Sequence, residues 1–275
     1  MASSPVAERI AHADQQARGS AQRPSRAGLI PLLALVYALG LALFIGTEPV
    51  RPWILLAVAA LVGLGTDGIL RGHPRVAFVS VADTAPYMFV PVLFTLASGL
   101  FLEDAALGYW QAPAVVGCGA LMAAAVFAEH ASVDPEHERF HSARFVLNVI
   151  TYMTAFAFYE VVYGFDVDLA PAAFAVGLVS MLLAIEIFRE AEADPLRALV
   201  FAGVIGIIVG ETRWVLYFIP LDGFLAAVFM LLAFYITTGV IAHYLTEHLN
   251  TTVLAEFALV TAAGLAIVIG GRVYG

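Results

Sequence analysis

His137-Glu138-Arg139-Phe140-His141 reads H-E-x-x-H, the one pattern in the chain with the spacing of a hydrolytic metal site. On a helix, residues four apart share a face, so two imidazoles could ligate zinc while Glu138 acts as general base on the bound water. The surroundings argue for a plainer reading. The motif sits in Asp134-Pro135-Glu136-His137-Glu138-Arg139, a polar stretch, and two of its five positions are free. A solvated loop helix is therefore the favoured expectation, with no cofactor, and zinc at His137 and His141 the alternative. A looser set of His130, His137, His141 and His243 could hold a non-catalytic metal or respond to pH. The chain has no P-loop, no G-x-S-x-G and no D-D-x-x-D. It has no Lys, which excludes a Schiff base or a lysine nucleophile. Its one cysteine, Cys118, lies in an apolar run and can form no intrachain disulfide.

A second group of chemistry-bearing residues lies inside or beside long apolar runs, where an ionisable side chain is costly and marks a site by default. Asp83 comes seven residues after Val76, the expected start of its helix, which puts it roughly 10–12 Å deep. Thr84 follows it, and Pro86 and Pro91 come next. Each proline removes a donor and frees a carbonyl one turn earlier, so an interrupted helix with unmet polar groups is expected around Asp83 and Thr84. The same residues fit a second reading equally: a helix starting near Asp83, with that residue as an interfacial cap. Asn148, Glu186, Thr238 and Glu256, with Asp67, Thr151, Tyr152 and His243, lie near the ends of several runs and together could line a polar vestibule. Singly, each could equally reach headgroups at the interface.

The elements that carry these residues are membrane spans. Of 275 residues, 61% are hydrophobic, and the mean hydropathy is +0.90. Soluble domains are nearer 45–50% apolar. Nine apolar runs are each long enough to cross a bilayer: residues 27–45, 53–70, 76–101, 108–128, 143–162, 171–188, 196–210, 223–243 and 253–271. The fold class expected is all-α, a polytopic helical bundle over residues 27–275, preceded by a disordered cytoplasmic tail over residues 1–26. The 13 basic residues are all Arg. With the amino terminus inside, ten fall in cytoplasmic segments and three (Arg51, Arg213 and Arg272) outside, as the positive-inside rule requires. An odd number of spans then puts the carboxyl terminus outside. All seven histidines, His12 and His248 included, fall on the inner side. Glu211 and Arg213 mark the place where the seventh helix stops. The net charge of −9 is spread over short loops, so no nucleic-acid partner is expected. The partners expected are the lipid bilayer and either further copies of the chain or subunits of a membrane complex.

Two resemblances bear on function. Pro220-Leu221-Asp222-Gly223 resembles the P-x-D-G element of site-2-type intramembrane metalloproteases, which would make Asp222 a third zinc ligand beside His137 and His141. The expected topology opposes it, because it separates Asp222 from His137 by ~30 Å of hydrocarbon. In the last quarter, Gly210-Glu211-Thr212-Arg213-Trp214, Tyr217-Phe218-Ile219-Pro220-Leu221, Phe234-Tyr235, Thr238-Gly239 and His243-Tyr244-Leu245 resemble an uncharacterised family of bacterial multi-pass proteins. That resemblance implies a bacterial cytoplasmic membrane and carries no activity with it. The leading expectation is a small permease-like or channel-like protein, not an enzyme, with its site at Asp83 and Thr84 and an inner belt of Asn148, Glu186, Thr238 and Glu256. A zinc metalloenzyme and an accessory or scaffold subunit are the alternatives.

Overall fold

The computed structural model describes residues 26–74, 78, 80–105, 108–165, 167–191, 194–219, 221–246 and 250–274. The expected tail therefore lies outside the described residues except for Arg26, as do His12, Val76, Pro220 and His248. Among the described residues there are nine α-helices and no strand. They are α1 (Ile30–Ile45), α2 (Pro52–Leu70), α3 (Val81–Ala105), α4 (Gln111–Ala131), α5 (Phe140–Gly164), α6 (Leu169–Ala191), α7 (Pro195–Leu216), α8 (Gly223–Leu245) and α9 (Thr251–Tyr274). All nine are long and apolar enough to cross a membrane, so the chain is an integral multi-pass membrane protein.

Local chemistry sets the helix starts. Pro52 and Pro195 open α2 and α7, where a missing N–H is harmless. Asp194 caps α7 by accepting a hydrogen bond from the Leu196 N–H at 3.0 Å. At α3 the Ser80 N–H donates to Asp83 Oδ2 at 2.8 Å, and the Asp83 N–H donates to Ser80 Oγ at 3.3 Å. This reciprocal pair is a capping box. It makes Val81 the first residue of α3, five later than expected, and leaves Asp83 exposed in the first turn. Of the two readings of Asp83, the helix cap is therefore the one found, and the deep site is not. The expected interruption is corrected too: Pro86 and Pro91 both lie within one continuous helix.

The seventh helix does not stop at Gly210. It runs through Arg213 to Leu216, because Gly210 serves packing rather than termination. A methyl group at Gly210 would lie 3.0 Å from the Ala173 carbonyl oxygen of α6. One at Gly177 would lie 2.7 Å from the Gly206 oxygen, and one at Gly206 would lie 2.6 Å from the Gly177 oxygen. Lipid supplies no hydrophobic force between helices, so close backbone approach and dispersion must hold them. α6 and α7 accordingly form the most extensive helix pair in the bundle. α3 packs on α1, α2, α4, α5 and α6, and α5 packs on α3, α4, α6 and α8. These two helices form the centre, and α9 packs chiefly on α8 at the edge.

Two stability series check this reading. Gly206→Ala should lower stability in detergent by about 1–3 kcal/mol through overpacking. Gly203→Ala, on the same helix with open space beside it, should be neutral or slightly stabilising. Equal melting shifts for the two would contradict the close contact. For the capping box, Ser80→Ala and Asp83→Ala should each cost about 1 kcal/mol. The double variant should cost little more than either alone, as expected for partners in one motif.

Candidate functional site

The ends of α2, α4, α6 and α8 and the starts of α3, α5, α7 and α9 share one end of the bundle, which carries Arg26, Arg71, Arg139, Arg144, Arg189 and Arg197. Roughly 3–8 Å inside this end, counted along the helices, four charged side chains meet. Arg144 of α5 is 3% exposed, and Glu129 of α4 and Glu186 of α6 are fully buried. The Arg144 Nη1 donates to Glu186 Oε1 at 2.6 Å, and its Nη2 donates to the Glu186 main-chain oxygen at 2.9 Å. Arg189, one turn past Glu186, brings Nη1 to 2.7 Å from Glu186 Oε2, a charge contact without hydrogen-bond alignment. Its Nη2 donates to Glu129 Oε2 and to Ser132 Oγ, both at 2.9 Å. The guanidinium also lies over the Tyr87 ring of α3, 3.8 Å from its centroid.

The arrangement follows from the solvent. Each ion costs several kcal/mol to desolvate, and only close, complementary partners offset that. Two guanidiniums against two carboxylates close the balance and tie α3, α4, α5 and α6 together. Glu186, expected in a solute pathway, thus has both oxygens against arginines. Glu129, Arg144 and Arg189 were missed as members. A usable signal existed: Glu186 and Arg189 are three apart and share a helical face, and Arg144 falls inside an apolar run.

Thr84 meets a different acid. Its hydroxyl donates to Asp67 Oδ1 of α2, whose Oδ2 accepts from Arg71 Nε at 2.7 Å. Asp83 and Thr84 are adjacent in sequence, yet one caps a helix and the other ties two helices. Glu256 is exposed on α9 and joins neither group.

Asn148, Thr238 and His243 do gather. Asn148 and His243 line a small polar cavity of about 250 Å³ between α5, α6 and α8, with Thr246 and Ala242. Asn148 Oδ1 is buried there without a hydrogen-bond partner among the described residues, and Thr151 Oγ1, three residues on along α5, is likewise buried and unpartnered among them. The His243 Nδ1 lies 2.9 Å from the Gly239 oxygen. One turn along α5 from Asn148, the Tyr152 hydroxyl is 3.1 Å from Thr238 Oγ1.

Beyond Tyr152 the character changes. A cavity of about 590 Å³ lies between α3, α4, α5 and α8, and it opens to the side past Val149 and Met153, which are 41% and 44% exposed in the middle of α5. Phe94, Phe101, Leu121, Met153, Phe156 and Leu231 supply much of its wall. The polar atoms at its edge are largely engaged: Ser98 Oγ bonds the Tyr37 hydroxyl at 2.7 Å, and Tyr152 bonds Thr238. Along α5, Arg144, Asn148, Tyr152 and Phe156 recur every four residues. They form a ridge that passes from ion cluster to polar cavity to apolar cavity.

The H-E-x-x-H residues are not arranged as ligands on one helix. His137 lies in the turn before α5 and His141 is the second residue of the helix, so the motif has no common helical face. The His137 Nδ1 accepts from the Arg139 N–H at 3.1 Å, and His137, Glu138 and His141 are all exposed. Asp222 stands at the start of α8, at the other end of the bundle. His130 instead stacks near His73, with ring centroids 4.7 Å apart. Among the described residues no three His, Cys, Asp or Glu groups lie close enough to share an ion.

No curated protein and no solved structure matches the chain. The match that exists runs well beyond the last quarter that the sequence motifs suggested. It spans all nine helices in whole or part, from within α1 to within α9, and so takes in both cavities and the ion cluster. The chain belongs to the family described as Protein of unknown function (DUF5656), whose sequence model matches residues 36–270.

Proposed function

We propose that the protein is a small permease-like carrier for a molecule with a mainly apolar body, held in a bacterial cytoplasmic membrane with its Arg-rich end inward. The observation that carries this reading is the cavity of about 590 Å³, a volume within the roughly 300–1,000 Å³ usual for small-molecule sites. Its carbon-lined wall offers a hydrated ion nothing to replace lost water, which argues against an ion pore. An apolar body gains dispersion contacts there, and the side opening faces the bilayer from which such a molecule arrives. A polar head group could reach the Tyr152–Thr238 pair and then the cavity holding Asn148 and His243. In this reading Asn148, Tyr152, Phe156 and Thr238 handle the cargo. Asp83, Thr84, Glu129 and Glu186 hold the helices that form its walls.

A photoactivatable alkyl diazirine tests this on purified protein. The probe should crosslink to α3, α4, α5 and α8 around the cavity. Ala157→Trp, which fills the cavity from α5, should cut that labelling at least tenfold. Val116→Trp, on a lipid-facing position of α4 that is 71% exposed, should leave it unchanged. Labelling spread evenly over all lipid-facing helices, or insensitive to Ala157→Trp, would contradict the proposal.

A further inference from the structure

At the end of the bundle opposite the ion cluster, one guanidinium has no paired carboxylate among the described residues. Arg213, in the last turn of α7, is only 4% exposed. Its Nε and Nη1 are enclosed and have no hydrogen-bond partner. Its one close partner among the described residues is the Tyr163 ring of α5, whose centroid lies 4.8 Å from Cζ. Glu211, two residues earlier, is exposed, and residues two apart on a helix do not face each other.

The energetics leave a deficit. A desolvated cation–π contact offsets only part of the cost of burying an ion. At the Arg-rich end the two guanidiniums are balanced by two carboxylates; here no described residue pairs a carboxylate with Arg213. The surroundings indicate what could. Trp214, Tyr217 and Phe218 are 47%, 59% and 72% exposed on the same stretch, and amphipathic rings of this kind collect at the headgroup layer. Arg213 therefore sits at the height of lipid phosphates. A guanidinium presents parallel N–H groups whose spacing fits two oxygens of a phosphate.

We propose that Arg213 is the core of a phosphate-binding site, filled by a lipid headgroup of that leaflet or by a free phosphate ion. Binding exchanges the Tyr163 ring contact for an ion pair, with the ring turning aside to uncover Nε and Nη1. The site is independent of the cavity reading, because it lies on α7 and involves none of the cavity's lining residues.

The test is thermal unfolding of the purified full-length chain in lipid-free maltoside detergent. Sodium phosphate is compared with sodium chloride at equal ionic strength, and short-chain phosphatidylglycerol with short-chain diacylglycerol. Phosphate, phosphatidylglycerol or both should raise the Tm of the wild type by several degrees, saturably. Arg213→Met should lose that rise, and without ligand it should melt no lower than wild type, since it removes an unbalanced charge. Arg213→Lys should keep part of the rise, which guards against a variant that fails to fold. A rise with phosphatidylglycerol alone assigns the site to a lipid, and a rise with inorganic phosphate assigns it to a soluble anion. No rise in the wild type, or an equal rise in Arg213→Met, overturns the proposal.

Discussion

Hydrocarbon does not hydrate charge, and that constraint organises this protein. Glu129, Arg144, Glu186 and Arg189 come from three different helices and are buried or nearly so. None could sit at its depth alone. Together they form a neutral set in which every ion has an opposite charge within 2.9 Å. The set also fixes the relative positions of α4, α5 and α6, and Tyr87 adds α3 through the face of its ring. Three of these four helices, α3, α4 and α5, also wall the apolar cavity. A cavity of that size among apolar side chains would tend to close by small helix shifts. Helices tied at one end by ions resist such shifts.

A second set of forces acts where no charge is available. α6 and α7 meet through Ala173, Gly177, Gly206 and Gly210, so close that no side chain fits between their backbones. α9 makes little such contact and is exposed along most of its length. The bundle thus grades from a tightly fixed middle to a loosely held edge. The cavity between α3, α4, α5 and α8 lies within the middle, where its walls are best defined.

Much of this was legible in the sequence. Long apolar runs gave all nine spans, and most boundaries fell within a few residues. The errors share one cause, which is that local signals have more than one physical use. Gly210 looked like a helix stop but is a contact point. Asp83 fitted a deep site and a helix cap equally, and the Ser80–Asp83 capping box decides for the cap. The H-E-x-x-H spacing means one face only if all five residues are helical, and helix α5 begins at the fourth. Among the inner polar residues, Asn148, Thr238 and His243 do converge, because they lie on the contact between α5 and α8. Glu256 does not, because α9 lies beyond α8. The ion cluster was the largest omission. Arg144 and Arg189 were counted only as charges that orient the chain, although the place of Arg144 inside an apolar run and the i, i+3 spacing of Glu186 and Arg189 marked them as partners.

The most direct measurement is a double-mutant cycle on Arg144 and Glu186, read as unfolding free energy in detergent. Arg144→Met and Glu186→Met each leave an unbalanced buried charge, so each should cost about 3–5 kcal/mol. The double variant leaves Glu129 and Arg189 as a balanced pair. It should be more stable than the sum of the single losses implies by well over 1 kcal/mol. Additive losses, or single variants as stable as the wild type, would mean that these ions do not fasten the bundle.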